Sequence, residues 1–245
     1  KFKIRSPAGV LEEIKECVTK YGIKVFFFRS DTFTMDKKWV IKFCELVTRE
    51  GLKIRWGTNS RVDTIDEERL VWMKKAGCWI IGFGVESGNQ EMLDKMKKGI
   101  TIEQAEKAVK LCKKYKIKTY LLFVLGLPWE RRETAIDTIE FAKKLDGDFV
   151  DFNIAYPLPG TEYYEIAKDS ALCDLSSLSG FDYANPLARS FYLSTEELIE
   201  LRKKALKSFY FRPQYIIRTL LNIRSLKVFN SYLYSGLQLL YKNRN

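Results

Sequence analysis

The sequence contains no histidine among its 245 residues. Histidine is the most common general base near neutral pH and the most common side-chain ligand of protein-bound metals. Its absence excludes serine-histidine catalytic triads and histidine-ligated metal centres from this chain. Any chemistry must therefore come from carboxylates, lysines or a bound cofactor.

Cysteines are present, but their spacing fits neither a metal knuckle nor a disulfide framework. A knuckle needs a short spacing such as C-x-x-C, and a secreted disulfide scaffold needs an even, dense set. Here no two cysteines are closer than 27 residues. We therefore interpret them as structural thiols and expect no metal ligands in this chain. The five cysteines are Cys17, Cys44, Cys78, Cys112 and Cys173.

Long hydrophobic runs are also absent. No stretch approaches the roughly 18 uninterrupted apolar residues that a membrane-spanning helix needs. The segment Lys1–Arg5 lacks the apolar run of a signal peptide. Hydrophobic residues nevertheless make up 46% of the chain, which is ample for a folded core. The sequence therefore predicts a folded protein of the cytoplasm.

Acidic residues are missing from residues 201–245. That segment holds ten lysines and arginines, so the formal net charge of +11 leaves only +1 for residues 1–200. Such a segment forms a helical cap with solvated lysines, lies on an anionic membrane surface, or binds nucleic acid, and we favour these in that order. Aromatic residues are interleaved with the basic ones: Phe209, Tyr210, Phe211, Tyr215, Phe229, Tyr232, Tyr234 and Tyr241.

Apolar runs of strand length alternate with amphipathic stretches of helical length. This alternation is typical of a parallel sheet built from right-handed β-α units. Start signals precede three of the helical stretches, at Asp36, Asp66 and Thr101. The predicted strands are Lys24–Arg29, Lys53–Thr58, Trp79–Val85, Lys118–Leu125 and Phe149–Ala155.

The first recognisable element is a helix, Pro7–Thr19, whereas a β-α series is expected to open on a strand. We therefore interpret the sequence as one that begins inside a domain. The pattern changes near residue 170, and Ser194 opens a further helix. The predicted organisation is a barrel-type domain at 1–170, a connecting segment at 171–193 and a basic, aromatic helical extension at 194–245.

Polar residues and tight turns follow the predicted strands. Because ligands of parallel α/β sheets bind beyond the carboxyl ends of the strands, these residues are the candidates for a site. Asp31 and Glu86 could accept hydrogen bonds, and Arg61 and Lys98 could neutralise a carboxylate. Taken alone, each has a plain alternative role as a cap or turn residue. Turns that could bring backbone close to a flat ligand such as adenine contain Gly126, Pro128 and Pro157.

Six segments that include most of these strand ends form an ordered set along the chain: Phe26–Thr34, Gly84–Gln90, Met96–Thr101, Phe123–Glu130, Tyr156–Thr161 and Phe209–Pro213. Together they resemble the radical S-adenosylmethionine (radical SAM) enzymes. The similarity is to the cobalamin-binding class, which includes the anaerobic magnesium-protoporphyrin ester cyclase and radical methyltransferases. The ordered set is more specific than any one segment.

The resemblance implies a partial (β/α)6 barrel, here without its first strand, and a bound S-adenosylmethionine. It implies that Glu86 meets the ribose or amino group and that Lys98 or Arg61 meets the carboxylate. It places Asp31 near the methionine part or the substrate. The turns at Gly126, Pro128 and Pro157 would line the adenine.

The resemblance also implies a 4Fe-4S cluster and a cobalamin, neither of which this chain is expected to bind through a motif of the family. The C-x-x-x-C-x-x-C loop of the family's 4Fe-4S cluster is absent, and cobalamin is implied only for a longer protein. We therefore expect a truncated sequence that is inactive alone. The alternative is a degenerate homologue without the cluster, which we favour less because the loss of a barrel strand would expose an unpaired sheet edge. The chain also has Trp129 where the family has a small residue and Arg131 where it has threonine.

The leading hypothesis is thus the S-adenosylmethionine-binding core of a radical enzyme that generates a 5′-deoxyadenosyl radical and, with cobalamin, methylates or cyclises its substrate. The expected partners are a small-molecule, lipid-like or tetrapyrrole-like substrate and an electron donor. One alternative is a non-catalytic barrel scaffold that docks on a membrane or a protein through its basic tail. Another is a different barrel enzyme with Glu86 and Asp31 as acid and base.

Overall fold

The computed structural model describes residues 4–173, 184–223 and 225–241. Strands and helices alternate along the first part of the chain, and helices alone follow. The described strands are β1 Val25–Phe28, β2 Arg55–Ser60, β3 Cys78–Glu86, β4 Lys118–Leu125 and β5 Phe149–Ile154. The described α-helices are α1 Pro7–Tyr21, α2 Lys37–Arg49, α3 Glu67–Lys75, α4 Gln90–Lys95, α5 Ile102–Lys114, α6 Arg132–Leu145, α7 Glu162–Asp169, α8 Thr195–Tyr210, α9 Pro213–Asn222 and α10 Leu226–Tyr241.

The strands form one sheet in the order β1-β2-β3-β4-β5. In β1 and β2, Val25 pairs in parallel with Arg55, and in β2 and β3, Thr58 pairs in parallel with Ile81. Each predicted strand is present, within two residues of its expected bounds. Over the described residues the parallel sheet is open rather than closed, so the expected α/β class with a partial barrel-type sheet is confirmed.

The helix starts agree with the capping residues in the sequence. The side chains of Asp36 and Asp66 accept the backbone amides three residues later, at 3.0 and 2.8 Å. Thr101 and Gln104 form a reciprocal capping box at the start of α5. Each contact satisfies an amide that has no partner inside the helix, so the short side chain fixes where the helix begins.

The chain divides into two compact units that interleave in sequence. The first consists of residues 1–85, 99–122 and 147–149. Its core includes a cluster of five aromatic rings with centroid separations of 5.2 to 5.9 Å. Packed aromatic rings bury large apolar areas and therefore stabilise this unit. The rings belong to Phe28, Phe33, Trp39, Phe43 and Trp56.

The second unit consists of residues 86–98, 123–146 and 150–245. Its helix α8 begins at a capping box between Ser194 and Glu197 and packs against α6. The Arg202 side chain donates to the Phe152 carbonyl at 2.6 Å. The Tyr210 hydroxyl donates to the carbonyl of Val150 at 2.7 Å and accepts from its amide at 2.9 Å. The start of the basic tail is therefore an integral part of this unit.

The junction of α8 and α9 is tied to the end of α6. Asp146 ends that helix with a left-handed φ of 50°. Its carboxylate binds Arg212 at 3.0 Å and also binds Arg218. Arg212 and Arg218 thus join Arg202 as basic residues of the tail that have a structural role. The predicted connecting segment 171–193 includes residues 174–183, which lie outside the described residues.

Gly77 provides a test of the fold at the turn between α3 and β3. It has a φ of 93°, and a Cβ added there would lie 2.1 Å from the Ile54 carbonyl oxygen. Gly51 also has a positive φ, of 65°, but a Cβ there would meet nothing within 4 Å. We predict that Gly51→Ala costs about 1 kcal/mol of unfolding free energy, for the left-handed backbone alone. Gly77→Ala costs roughly 1–3 kcal/mol more, because backbone must move.

Urea unfolding of the two variants beside the unsubstituted chain measures both costs. The Gly51 variant measures the cost of the left-handed backbone alone, so the difference between the two variants is the steric cost at Gly77. Equal destabilisation by the two substitutions would contradict the close approach of Gly77 to Ile54.

Candidate functional site

Glu86 is the last residue of β3 and has an unusual backbone conformation. Its φ is 68°, in the left-handed region that non-glycine residues rarely occupy. Such a conformation costs on the order of 1–3 kcal/mol and persists only where surrounding contacts impose it. The side chain is 18% exposed, so the carboxylate is largely shielded but reachable. A strained, half-buried carboxylate at a strand end is a candidate for ligand binding.

The turn after Glu86 is fixed to helix α6 through Thr138. The Thr138 hydroxyl accepts the Gly88 amide and the Ser87 hydroxyl, each at 3.0 Å, and donates to the Thr134 carbonyl at 3.1 Å. Ser87 in turn accepts the Asn89 amide at 3.1 Å. A Cβ on Gly88 would lie 2.4 Å from Cβ of Phe141, so only glycine allows this approach to α6. These contacts impose the conformation at Glu86.

Lys98 brings the opposite charge to Glu86. Its Nζ lies 2.6 Å from Oε1 of Glu86, and its side chain is 23% exposed. The backbone reaches this position after α4 because Lys97 is left-handed, with a φ of 55°, and the Lys98 amide donates to the Leu93 carbonyl at 3.1 Å. An adjacent carboxylate and ammonium group complement a zwitterionic amino acid, since each can bind the opposite charge of the ligand.

The turn after β4 is centred on Gly126, whose peptide groups are already engaged. The Gly126 amide donates to Oε2 of Glu130 at 3.3 Å, and its carbonyl accepts from the Tyr163 hydroxyl at 3.2 Å. A Cβ at Gly126 would lie 3.0 Å from Leu198 and 3.3 Å from Ile154, and the φ of 85° favours glycine. This turn can therefore contact a ligand by van der Waals packing rather than by a hydrogen bond from the amide of Gly126.

Glu130 is a buried carboxyl group that sequence reasoning missed. Its exposure is only 1%. The Thr134 hydroxyl donates to Oε1 of Glu130 at 2.9 Å, and the Ser190 hydroxyl donates to the Glu130 carbonyl at 2.8 Å. Burial raises the pKa of Glu130 to about 7, and the bonds from Thr134 and the Gly126 amide oppose that rise. The one signal in the sequence was a carboxylate in an otherwise apolar turn.

The two prolines predicted to line a ligand are both buried. Pro128 lies in the turn after β4, and its carbonyl accepts from the Phe191 amide at 2.8 Å. Pro157 lies in the turn after β5, next to Leu158, which is 47% exposed. Thr161 ends that turn and caps α7 through the Tyr164 amide at 3.2 Å. Both turns are thus rigid, with proline fixing one backbone angle in each.

Asp31 and Arg61 belong to the first unit and differ in their surroundings. Asp31 is exposed in the loop after β1. Arg61 follows β2 and binds both carboxylate oxygens of Asp63, at 3.0 and 2.9 Å, and the Gly99 carbonyl at 3.4 Å. The bond to Asp63 raises the pKa of Arg61. A ligand carboxylate at Arg61 would therefore compete with Asp63.

The cysteines do not form a metal centre in the described part of the chain. Cys44, Cys78 and Cys112 are buried as interpreted, whereas Cys17 and Cys173 are only partly buried. Burial raises the pKa of Cys112 to about 12 and raises those of Cys44 and Cys78 as well, so these thiols stay protonated. Among the described residues no three cysteines or carboxylates are grouped to hold a metal. The residues present do not fit an iron-sulfur cluster.

Glu130 predicts a pH dependence of stability. Its pKa is raised from 4.5 to about 7 in the folded state, so between those values the folded chain keeps a proton that the unfolded chain releases. The free energy of unfolding therefore falls by about 3 kcal/mol as pH rises through this window. Glu130→Gln removes this fall, and urea unfolding at several pH values measures it.

Glu133→Gln is the matched control, because Glu133 is exposed on the first turn of α6, the helix that follows Glu130. The control variant should keep the pH slope of the unsubstituted chain. The same slope in the Glu130 variant would mean that the Glu130 carboxyl is ionised and solvated in the folded state.

Comparison with known proteins identifies the family of this chain. A sequence model described as the radical SAM superfamily matches residues 1–142. An uncharacterized methyltransferase of Pyrococcus horikoshii is 38% identical over 218 residues, which cover 89% of this chain and 48% of that protein. The anaerobic magnesium-protoporphyrin IX monomethyl ester cyclase of Cereibacter sphaeroides is 28% identical over 215 residues, which cover 86% of this chain and 35% of that protein.

A solved structure has the same fold. The radical S-adenosylmethionine methyltransferase TsrM from Kitasatospora setae, with cobalamin and a 4Fe-4S cluster bound, superposes with a TM-score of 0.63 at 20% identity. The match covers 82% of this chain and 41% of that one. The chain thus spans half or less of the length of these proteins. Because the family model matches more than half of its residues, the chain belongs to the radical SAM superfamily.

Proposed function

We propose that this chain is the S-adenosylmethionine-binding part of a radical SAM enzyme that acts as a methyltransferase or an oxidative cyclase. The relatives that match most of its length are named as a methyltransferase and a cyclase. The observation that carries the proposal is the pair of Glu86 and Lys98, joined at 2.6 Å at the end of β3. The non-catalytic scaffold receives no support from these comparisons.

The methionyl end of S-adenosylmethionine is a zwitterion, and the pair matches it. Glu86 accepts from the ligand's ammonium or ribose hydroxyls, and Lys98 donates to its carboxylate. Without ligand, the two side chains neutralise each other, so neither charge is left unpaired in a half-buried position. The left-handed backbone at Glu86 fixes the carboxylate in place before the ligand arrives, which lowers the entropic cost of binding.

The other residues predicted from the sequence are proposed to contact the adenine, the methionine part or the substrate. The turns that contain Gly126, Pro128 and Pro157 present rigid backbone to the adenine. Asp31 lies near the methionine part or the substrate, and Arg61 is the alternative to Lys98 for the ligand's carboxylate. The internal bonds of the Gly126 peptide favour stacking and close packing over hydrogen bonding at that residue.

Bound S-adenosylmethionine supplies the radical or methyl-transfer chemistry, and this chain's residues bind and orient it. The cobalamin of the TsrM structure is a further proposed cofactor of the whole protein, and the 4Fe-4S cluster has no ligand set in the described residues. We propose a small-molecule substrate, tetrapyrrole-like or lipid-like in class, an electron donor as partner, and a cytoplasmic location.

Binding of S-adenosylmethionine tests the site. We predict measurable binding by the chain, with Glu86→Gln weakening it roughly tenfold, which corresponds to about 1.4 kcal/mol. Lys98→Met should weaken it similarly, because each variant leaves one ligand charge without its partner and one protein charge unpaired. Isothermal titration calorimetry of the purified chain and its variants measures these affinities.

Glu91→Gln and Lys95→Met form the matched control. These two residues are also an ion pair, at 2.7 Å, but they lie exposed on α4. The control variants should bind like the unsubstituted chain. Affinity unchanged by both site substitutions, or no binding by the unsubstituted chain, would refute the assignment.

A further inference from the structure

Helix α9 presents its apolar side to solvent. Its one buried residue is Tyr215, which packs on Phe209 and Tyr210 with ring centroids 5.3 and 5.2 Å apart. Arg218 lies one turn further along and binds Asp146. The large aliphatic residues lie on the side of the helix opposite Tyr215 and Arg218 and form a stripe on the outside. They are Ile216, Ile217, Leu220 and Leu221, from 39% to 80% exposed.

Helix α10 carries a second exposed stripe. Its members recur at intervals of three and four residues, so they lie along one side of the helix. They range from 38% to 82% exposed, although α10 also contacts α8. Isolated apolar residues on a surface are ordinary, whereas an exposed apolar stripe along each of two successive helices indicates a binding surface. The stripe consists of Leu226, Phe229, Leu233, Leu237 and Leu240.

Positive charge is concentrated in the same part of the chain as the stripes. Residues 201–245 contain ten lysines and arginines and no acidic residue. Arg202, Arg212 and Arg218 are used in contacts within the second unit. No ion pair within the described residues engages the lysines of α8 and α10. These lysines are Lys203, Lys204, Lys207 and Lys227.

We propose that α9 and α10 bind the surface of an anionic lipid bilayer. The leucine stripes enter the boundary between headgroups and acyl chains, and the lysines bind lipid phosphates and carboxylates. Tyrosines suit this boundary because they have an apolar ring and a polar tip. No helix of the described residues is long and apolar enough to cross a bilayer, so the contact is peripheral. This surface is independent of the proposed cofactor site.

Charge favours a lipid surface over a second copy of the chain as the partner of α9 and α10. Two copies joined through α9 and α10 would bring two basic, acid-free segments together, and like charges repel across such an interface. An anionic bilayer supplies the opposite charge instead. Each basic residue near such a surface is attracted to it, so the lysines add to the apolar contribution.

Vesicle flotation with the full chain tests the proposal. The probes are vesicles of phosphatidylcholine alone and of phosphatidylcholine with about one-third phosphatidylserine. We expect the chain to float with the anionic vesicles, with binding at least severalfold weaker on neutral ones and reduced by high salt. The double variant Leu221→Ser, Leu233→Ser should bind roughly tenfold more weakly, because two apolar side chains no longer enter the bilayer.

Val71→Ser is the control, since Val71 is an aliphatic residue of α3 with 46% exposure. It should leave vesicle binding unchanged. Both sets of substitutions fall on exposed residues, and circular dichroism checks that the fold is retained. Absence of binding to anionic vesicles, or binding unaffected by the leucine substitutions, would overturn the proposal. A dimer in analytical ultracentrifugation that the same substitutions dissociate would assign the surface to a second copy instead.

Discussion

The candidate site depends on the attachment of the turn after β3 to helix α6. One hydroxyl, that of Thr138, accepts two groups of the turn and donates to its own helix. A typical hydrogen bond contributes about 1 kcal/mol net, so this set offsets the roughly 1–3 kcal/mol of the left-handed Glu86. The glycine at position 88 is what lets the turn reach α6. These contacts therefore hold the backbone from which the Glu86 carboxylate extends.

The turn after β4 is built on the same principle with a different polar group. Buried Glu130 satisfies the Gly126 amide and is itself held by Thr134. Burial favours its protonated form, and the hydrogen bonds favour the ionised form, which leaves its pKa near neutrality at about 7. In both turns, a polar side chain thus accepts a backbone amide, that of Gly88 in one turn and that of Gly126 in the other.

The sequence was sufficient for the elements and their starts. Apolar periodicity located the strands, and Asp36, Asp66, Thr101 and Ser194 marked helix starts because capping is a local interaction between residues three apart. The alternation of strands and helices indicated the α/β class and directed attention to the strand ends, and the family resemblance added the partial barrel and the ligand.

Pairing between distant residues could not be predicted from pattern. The sequence offered Lys98 and Arg61 as equivalent cations, but Arg61 binds Asp63, two residues away, and Lys98 binds Glu86. The role of Glu130 was also hidden, because its contacts include the Ser190 hydroxyl, which donates to the Glu130 carbonyl from 60 residues along the chain. Likewise, charge and composition of the tail did not distinguish the packed α8 from the exposed stripes of α9 and α10.

Hydrogen-deuterium exchange of the chain, with and without S-adenosylmethionine, locates the ligand without any substitution. If S-adenosylmethionine binds at these strand ends through Glu86 and Lys98, as proposed, it slows exchange in residues 86–98 and 126–130 and leaves α10 unchanged. Unchanged exchange in both segments, or protection confined to other parts of the chain, would contradict the proposal.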